Sequence, residues 1–274
     1  MKNKKIDILN ENSKFYKLDF GINETENLDD IYSLILLGTL SGFSCIDVSA
    51  NEEIIKIANF AIKEAKKKSF ELDIGINQKT LLFASFGINK ITNLDDNTIF
   101  EKFKFLKDFD IDGIDIHFNE IDFLSNIKKI DLIFNFFKEK IISVNISRKR
   151  LSNIQLVELL TICFDHKKKD LIVEVEGIKS YKNNLSHILQ MISTADIINK
   201  QFKQKSLKYK KVPLILGDCK EVEIEILASQ CNVQFKGISF DYLNMKDSLK
   251  TNFIFSNNEE SKLIINEIKI KYNL

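Results

Sequence analysis

Proline is almost missing from this chain, with Pro213 the single example, and glycine is sparse at nine residues. Collagen-like and proline-rich disordered chains need both in bulk, so those classes are excluded. No apolar run reaches the ~18 residues that a membrane-spanning helix requires. The start, Met1-Lys2-Asn3-Lys4-Lys5, has no apolar stretch of the secretory kind behind it. A protein of the cytoplasm or a plastid stroma, without a membrane partner, is therefore expected. Charge of one sign is also lacking. A formal net charge of +1 gives no long-range field to gather nucleic acid, so no nucleic-acid partner is expected.

Cysteine is scarce and scattered, at positions 45, 163, 219 and 231. None of these spacings matches a zinc site or a [4Fe-4S] cluster, so no cofactor is detectable and reduced thiols are expected. Arginine is nearly absent as well. Arg148 and Arg150 are the two in a basic set of 40 Lys plus Arg, which makes their placement notable.

What is present is ordinary for a protein with a real core: 44% hydrophobic and 29% charged residues over 274 positions. Short β-rich runs alternate with helical periodicity roughly every 30 residues, as in βαβ units. The predicted strands are Phe15–Phe20, Cys45–Ala50, Thr80–Phe86, Gly113–Phe118, Ile141–Ile146, Asp170–Glu176, Val212–Leu216 and Lys236–Phe240. Helical faces are predicted from Leu28, Ile31, Ile35 and Gly38, and from Ile54, Ala58, Ala61 and Ala65. Two more follow from Ile127, Ile130, Phe134 and Phe137, and from Ile154, Val157, Thr161 and Phe164. Asn51 and Asn153 are the predicted N-caps.

Eight strands alternating with helices in a chain of this length predict a single α/β domain over residues 1–274, a (β/α)8 TIM-type barrel. The rival, an open doubly wound sheet, lacks a Gly-x-Gly-x-x-Gly after the first strand. Lys66–Lys79 reads as an excursion on the bottom face, and the lysine run Lys203–Lys211 as a solvated loop or an anion patch.

Strand alternation gives the sharpest functional inference. One face of each strand is apolar and suits the outer helices. The other carries Lys17 and Asp19, Asp47 and Ser49, Ser85, Asp115 and His117, Ser143 and Asn145, Glu174 and Glu176, Ser239 and Asp241. In a closed barrel this face points inward, where apolar residues are the rule. Such an interior is costly unless its members pair, hold water or bind something.

Two readings stay open. In one, Lys17, Asp47, Asp115, His117 and Glu176 form a ligand or catalytic site. Lys17 then neutralises carboxylates or binds an anion, and His117, with Asp115 and Glu176, does acid–base work. In the other, Lys17 bridges buried acids in a closed network without chemistry. Asn145 joins the candidate ligand-binding set, as do Arg148 and Arg150, whose forks suit carboxylate or phosphate. A metal site from Asp115, His117 and Glu174 is weakly indicated, and no metal ligand is assigned. There is no Gly-x-Ser-x-Gly elbow for a nucleophilic serine. The end of strand seven, Leu216-Gly217-Asp218-Cys219, makes a poor phosphate nest.

The segment Leu40-Ser-Gly-Phe-Ser-Cys-Ile-Asp-Val-Ser-Ala50 resembles the "agADCIDVAADP" region of the cyanobacterial light-dependent period modulator family, LdpA. Strand one with Lys17 resembles that family's "FKLI" strand, and Gly113-Ile-Asp-Ile-His117 its "aIEIHT" strand. Glu174-Val-Glu-Gly177 stands where the family has "TDGRP". Pro213-Leu-Ile-Leu-Gly217 and Gly237-Ile-Ser239 resemble its late strands. A hypothetical chloroplast reading-frame family of similar barrels is a near second. The resemblance implies matched positions at Lys17, Asp47, His117, Gly177 and Gly217. It also implies a non-catalytic regulatory barrel with a protein partner, tied to light, redox or circadian control. The family's iron–sulfur cysteines have no counterpart here, so the redox role does not transfer. The alternative is a TIM-barrel enzyme or binding protein for a small acidic or phosphorylated metabolite.

Overall fold

A computed structural model describes residues 14–21, 27–75, 79–91, 93–118, 123–147, 152–166, 171–176, 184–204, 212–217, 223–242, 258–272 and 274. Eight parallel strands close on themselves in sequence order: β1 (Phe15–Asp19), β2 (Cys45–Ser49), β3 (Leu81–Gly87), β4 (Gly113–Phe118), β5 (Ile141–Ser147), β6 (Leu171–Glu176), β7 (Leu214–Leu216) and β8 (Gly237–Asp241). A helix follows each strand: α1 (Leu28–Ser41), α2 (Glu52–Glu71), α3 (Asp96–Asp108), α4 (Phe123–Phe136), α5 (Asn153–His166), α6 (Asn184–Gln204), α7 (Glu223–Gln230) and α8 (Asn258–Tyr272). The chain is a (β/α)8 barrel, as the alternating pattern predicts.

The outward face of the strands is apolar throughout. Leu18, Ile46, Ala84, Ile116, Val144 and Val175 are fully buried beneath the helices, each large side chain contributing ~1.5–3 kcal/mol of burial. Pairing of β1 with β8 closes the ring, in register Lys17 with Ser239 and Asp19 with Asp241. An aromatic cluster fastens the C-terminal helix over that seam. Phe240 on β8 meets Tyr272 of α8 at 4.9 Å between ring centroids, and Phe43 meets Tyr272 at 5.7 Å. Pro213 just precedes β7, and its carbonyl accepts from the Val173 amide at 3.0 Å, so the missing N–H costs the sheet little.

Three sequence expectations need correction. The first six residues of Lys66–Lys79 are not a bottom-face excursion, because α2 runs on to Glu71 with an amphipathic lysine-rich exterior. The cap of α5 is Ser152, one residue earlier than Asn153. Its hydroxyl accepts from the Gln155 amide at 3.3 Å, and the Gln155 side chain accepts from the Ser152 amide at 3.0 Å. The buried face of α5 is Leu156, Leu159, Leu160, Cys163 and Phe164, while Ile154 is 80% exposed. Asn51 caps α2 as expected, accepting from Glu53 and Ile54. Of the lysine run, residues 205–211 lie outside the described residues.

Candidate functional site at the barrel mouth

The interior is built in two tiers. Near the strand starts, Phe15, Cys45, Leu81, Phe83, Ile141, Ile172 and Ile215 form an apolar plug separate from the outer core. Gly113 and Gly237 sit in the same tier because there is no room for a side chain. A Cβ on Gly237 would lie 1.9 Å from the Phe15 carbonyl oxygen.

Above the plug the interior turns polar. Lys17, 1% exposed, reaches into the centre, where its ammonium Nζ lies 2.5 Å from Asp115 Oδ2, 2.6 Å from Glu174 Oε2 and 2.8 Å from Asp47 Oδ2. The first two are hydrogen bonds, and the Asp47 contact is an ion pair without hydrogen-bond alignment. Strands β1, β2, β4 and β6 thus converge on one nitrogen. Three acids surround the ammonium, which places Lys17 in the network, not on a ligand anion.

The charges are set by burial and by one another. Burial alone would lower the Lys17 pKa, but Asp115, Asp47 and Glu174 outweigh it and hold the ammonium charged well above its ordinary range. Burial would raise Asp115, and here Lys17 and His117 win, so its carboxyl is held well below the usual range. Burial pushes Asp47 well up despite Lys17, with Asp115 adding to the rise. Burial likewise carries Glu174 up to about 7 against the opposing pull of Lys17. The centre therefore holds a fixed Lys17–Asp115 pair flanked by two carboxyls that retain protons more readily than exposed ones.

One layer closer to the mouth stand His117, Asn145, Glu176 and Asp19. His117 Nε2 lies 3.5 Å from Asp115 Oδ2. Burial would lower its pKa, yet Asp115, and then Glu176 and Asp19, raise it to about 10. The Asn145 amide donates to Glu176 Oε1 at 2.7 Å. Asp19 Oδ1 accepts from the Gly21 amide at 2.7 Å. Several buried polar atoms here have no hydrogen-bond partner among the described residues: Asp47 Oδ1, Asp115 Oδ1, His117 Nε2, Asn145 Oδ1 and Glu174 Oε1. Each is costly unless something else meets it.

Of the sequence-predicted site residues, the barrel brings Lys17, Asp47, Asp115, His117, Asn145, Glu176 and Gly217 to the interior or its rim. Arg148, Arg150 and Gly177 lie outside the described residues. Asp19 and Glu174 were placed on the inward face by strand parity but not assigned a binding role, and both join the cluster. The weakly indicated metal trio Asp115, His117 and Glu174 is interrupted, since Lys17 occupies the space between Asp115 and Glu174. Among the described residues, two other trios have ligand atoms within 4.8 Å of one another: Asp19 with Asp47 and His117, and Asp19 with Glu174 and Glu176.

A nucleophilic lysine mechanism does not suit this site. Attack by an amine needs its neutral form, and Lys17 is buried, charged and held by three acids. The arrangement can present a cationic imidazole and a set of carboxylates to whatever enters the mouth.

No protein-family model and no curated protein matches the chain. Solved structures match in shape. A putative deoxyribose-phosphate aldolase from Coccidioides immitis aligns at TM-score 0.58 and 9% identity, over 88% of this chain and 87% of that one. The homocysteine methyltransferase MmuM from Escherichia coli aligns at 0.57 and 10%, over 86% and 96%. A truncated 3-deoxy-D-arabino-heptulosonate 7-phosphate synthase from Thermotoga maritima aligns at 0.54 and 11%, over 94% and 86%. At such identities the likeness establishes the barrel and leaves its chemistry to be argued from the site. Among the described residues, no helix is long and apolar enough to cross a membrane.

Proposed function

We propose that this chain is a barrel enzyme or binding protein that takes a small acidic or phosphorylated metabolite at its C-terminal mouth, with His117 as the charged donor and Lys17 as a positioning residue. The observation that carries this reading is the set of buried polar atoms above an apolar plug that have no hydrogen-bond partner among the described residues. A purely structural network reaches lower energy by satisfying them or replacing them with branched apolar residues. Lys17 fixes Asp115, and Asp115 holds His117 protonated. His117 then offers a hydrogen bond, or a proton where a ligand oxygen develops charge.

The regulatory reading implied by the LdpA resemblance remains a second proposal, with a protein partner in place of a metabolite. It lacks a comparable structural feature. Among the described residues, the exposed large apolar side chains are spread over five helices with at most two on one, as with Phe60 and Phe70 on α2 or Leu263 and Ile270 on α8.

The test is native purification followed by mass spectrometry of co-purified small molecules, paired with a thermal-shift screen of small phosphorylated and carboxylated metabolites. The expected result is a metabolite that raises the Tm of the native protein and loses most of that effect in H117Q. If no metabolite co-purifies and none in the screen distinguishes native protein from H117Q, the proposal is wrong.

A further inference from the structure

Among the described residues the mouth carries more acid than base. Asp19, Asp47, Asp115, Glu174 and Glu176 surround one lysine and one histidine. A cation bound among these acids would offset their charge and draw an anion toward them.

Three of these carboxylates are arranged to hold one. Ligand oxygens of Asp19, Glu174 and Glu176 lie within 4.8 Å of one another. Oxygens around a hard divalent ion, at roughly 2.1–2.4 Å from it, are separated by about 3–5 Å. Each carboxylate is steered through one oxygen by a donor of the protein. The Gly21 amide holds Asp19 Oδ1 at 2.7 Å, Lys17 holds Glu174 Oε2 at 2.6 Å, and Asn145 holds Glu176 Oε1 at 2.7 Å. Such outer partners are what orient metal-binding carboxylates.

An independent sign of a missing ligand is Glu174 Oε1. It belongs to a residue with no exposed surface, and no hydrogen-bond donor among the described residues meets it. Gly217 leaves the space that both glutamates need. A Cβ there would stand 2.8 Å from Glu174 Oε1 and 3.0 Å from Glu176 Cγ. The other trio brings in the His117 imidazole, a nitrogen ligand that hard Mg²⁺-type ions take less readily than oxygen.

We propose that Asp19, Glu174 and Glu176 bind a hard divalent cation, Mg²⁺ or Mn²⁺, at the barrel mouth. The site takes all-oxygen ligation, the preference of such ions. The inference rests on the reading of the mouth as a binding site and adds the means by which an anionic metabolite is held: its oxygens complete the coordination of the ion.

The test uses the whole chain, stripped with EDTA and titrated with manganese chloride alone. Binding is followed by calorimetry and by loss of the free-manganese paramagnetic resonance signal. One saturable Mn²⁺ per chain is expected, weakened at least about tenfold in both D19N and E176Q, whose far-UV circular dichroism should match the native protein. Electron spin-echo modulation of the bound ion should show no directly bound nitrogen, a readout that needs no variant.

Absence of saturable binding below about 1 mM overturns the inference. So does affinity unchanged in both variants, or a nitrogen ligand placing the ion at His117. Failure of manganese to bind, alongside a metabolite whose effect depends on His117, removes the ion and leaves the proposed function standing. Manganese binding as described, with no metabolite responding to His117, upholds the ion and removes that function.

Discussion

Lys17 on β1 and Asp115 on β4, 98 residues apart, meet inside the barrel at 2.5 Å between Nζ and Oδ2. The same Asp115 oxygen lies 3.5 Å from His117 Nε2. One carboxylate therefore couples the buried centre to the mouth. Removing the lysine leaves Asp115, Asp47 and Glu174 without their counter-ion in a water-poor interior. K17M is expected to cost about 3–5 kcal/mol of stability. It should cost markedly less when D115N and E174Q are already present, because fewer buried charges are then orphaned. Urea denaturation of the single and combined variants measures both. A K17M cost below about 1 kcal/mol would show that water reaches the network.

The architecture was legible because parity and period are strong signals. In β4, Asp115 and His117 alternate with Ile114 and Ile116, and once the ring closes that alternation fixes which side chains meet. The convergence of Lys17, Asp47, Asp115 and His117 follows directly. What parity does not give is stagger, the height at which each strand delivers its inward residues. Only the register Asn145 with Glu174, and Ser147 with Glu176, shows Asn145 within reach of Glu176. The metal trio was missed for the same reason: Asp19 and Glu174 lie on strands distant in sequence. Of the predicted α5 face, Phe164 is buried, but Ile154 and Val157 fit a helical period without being its buried side, because Leu156, Leu159, Leu160 and Cys163 pack inward and set the helix rotation.

Ser152 offers a direct check on that local correction. S152A removes the side-chain acceptor for the Gln155 amide and should cost about 0.5–2 kcal/mol. Asn153, now the first helical residue, should tolerate Ala with a much smaller loss. Equal losses in thermal or urea denaturation would mean that the cap lies elsewhere.

The thiols divide by burial. Burial, with Asp47 adding, pushes Cys45 well above its ordinary range, and burial pushes Cys163 well up too. Cys231 is exposed. Native protein treated with iodoacetamide should therefore be alkylated at Cys231, while Cys45 and Cys163 react only after unfolding. Peptide mass spectrometry reads the sites, and early modification of Cys45 would show that the apolar plug opens to solvent.

Two glycines should respond differently to an added methyl group. At Gly237 the obstacle is the Phe15 backbone, 1.9 Å from an ideal Cβ, in the strand pair that closes the barrel. Neither backbone can yield without breaking that pair, so G237A is expected to abolish folding or cost more than about 3 kcal/mol. At Gly217 the obstacles are the Glu174 and Glu176 side chains, which can turn aside. G217A should cost less, about 1–3 kcal/mol, and should weaken manganese binding by displacing the two glutamates. Denaturation midpoints rank the two, and a G217A protein with native metal affinity would contradict the role given to that space.

His117 gives the sharpest pH dependence. Its pKa stands at about 10 in the folded protein against an ordinary value of 6.5, the cost of burial being outweighed by Asp115, with Glu176 and Asp19 adding. The folded state thus binds the proton more tightly than the unfolded chain does. The stabilisation is fully present below pH 6.5 and is lost as pH rises through 10, with a slope of at most about 1.4 kcal/mol per pH unit. In H117Q this contribution disappears, so the loss of stability between pH 6.5 and 10 should be shallower than in the native protein. Urea unfolding at several pH values across that window decides the point. If native protein and H117Q lose stability in parallel, the imidazole is not held charged by Asp115, and its role as the cationic donor at the mouth fails with it.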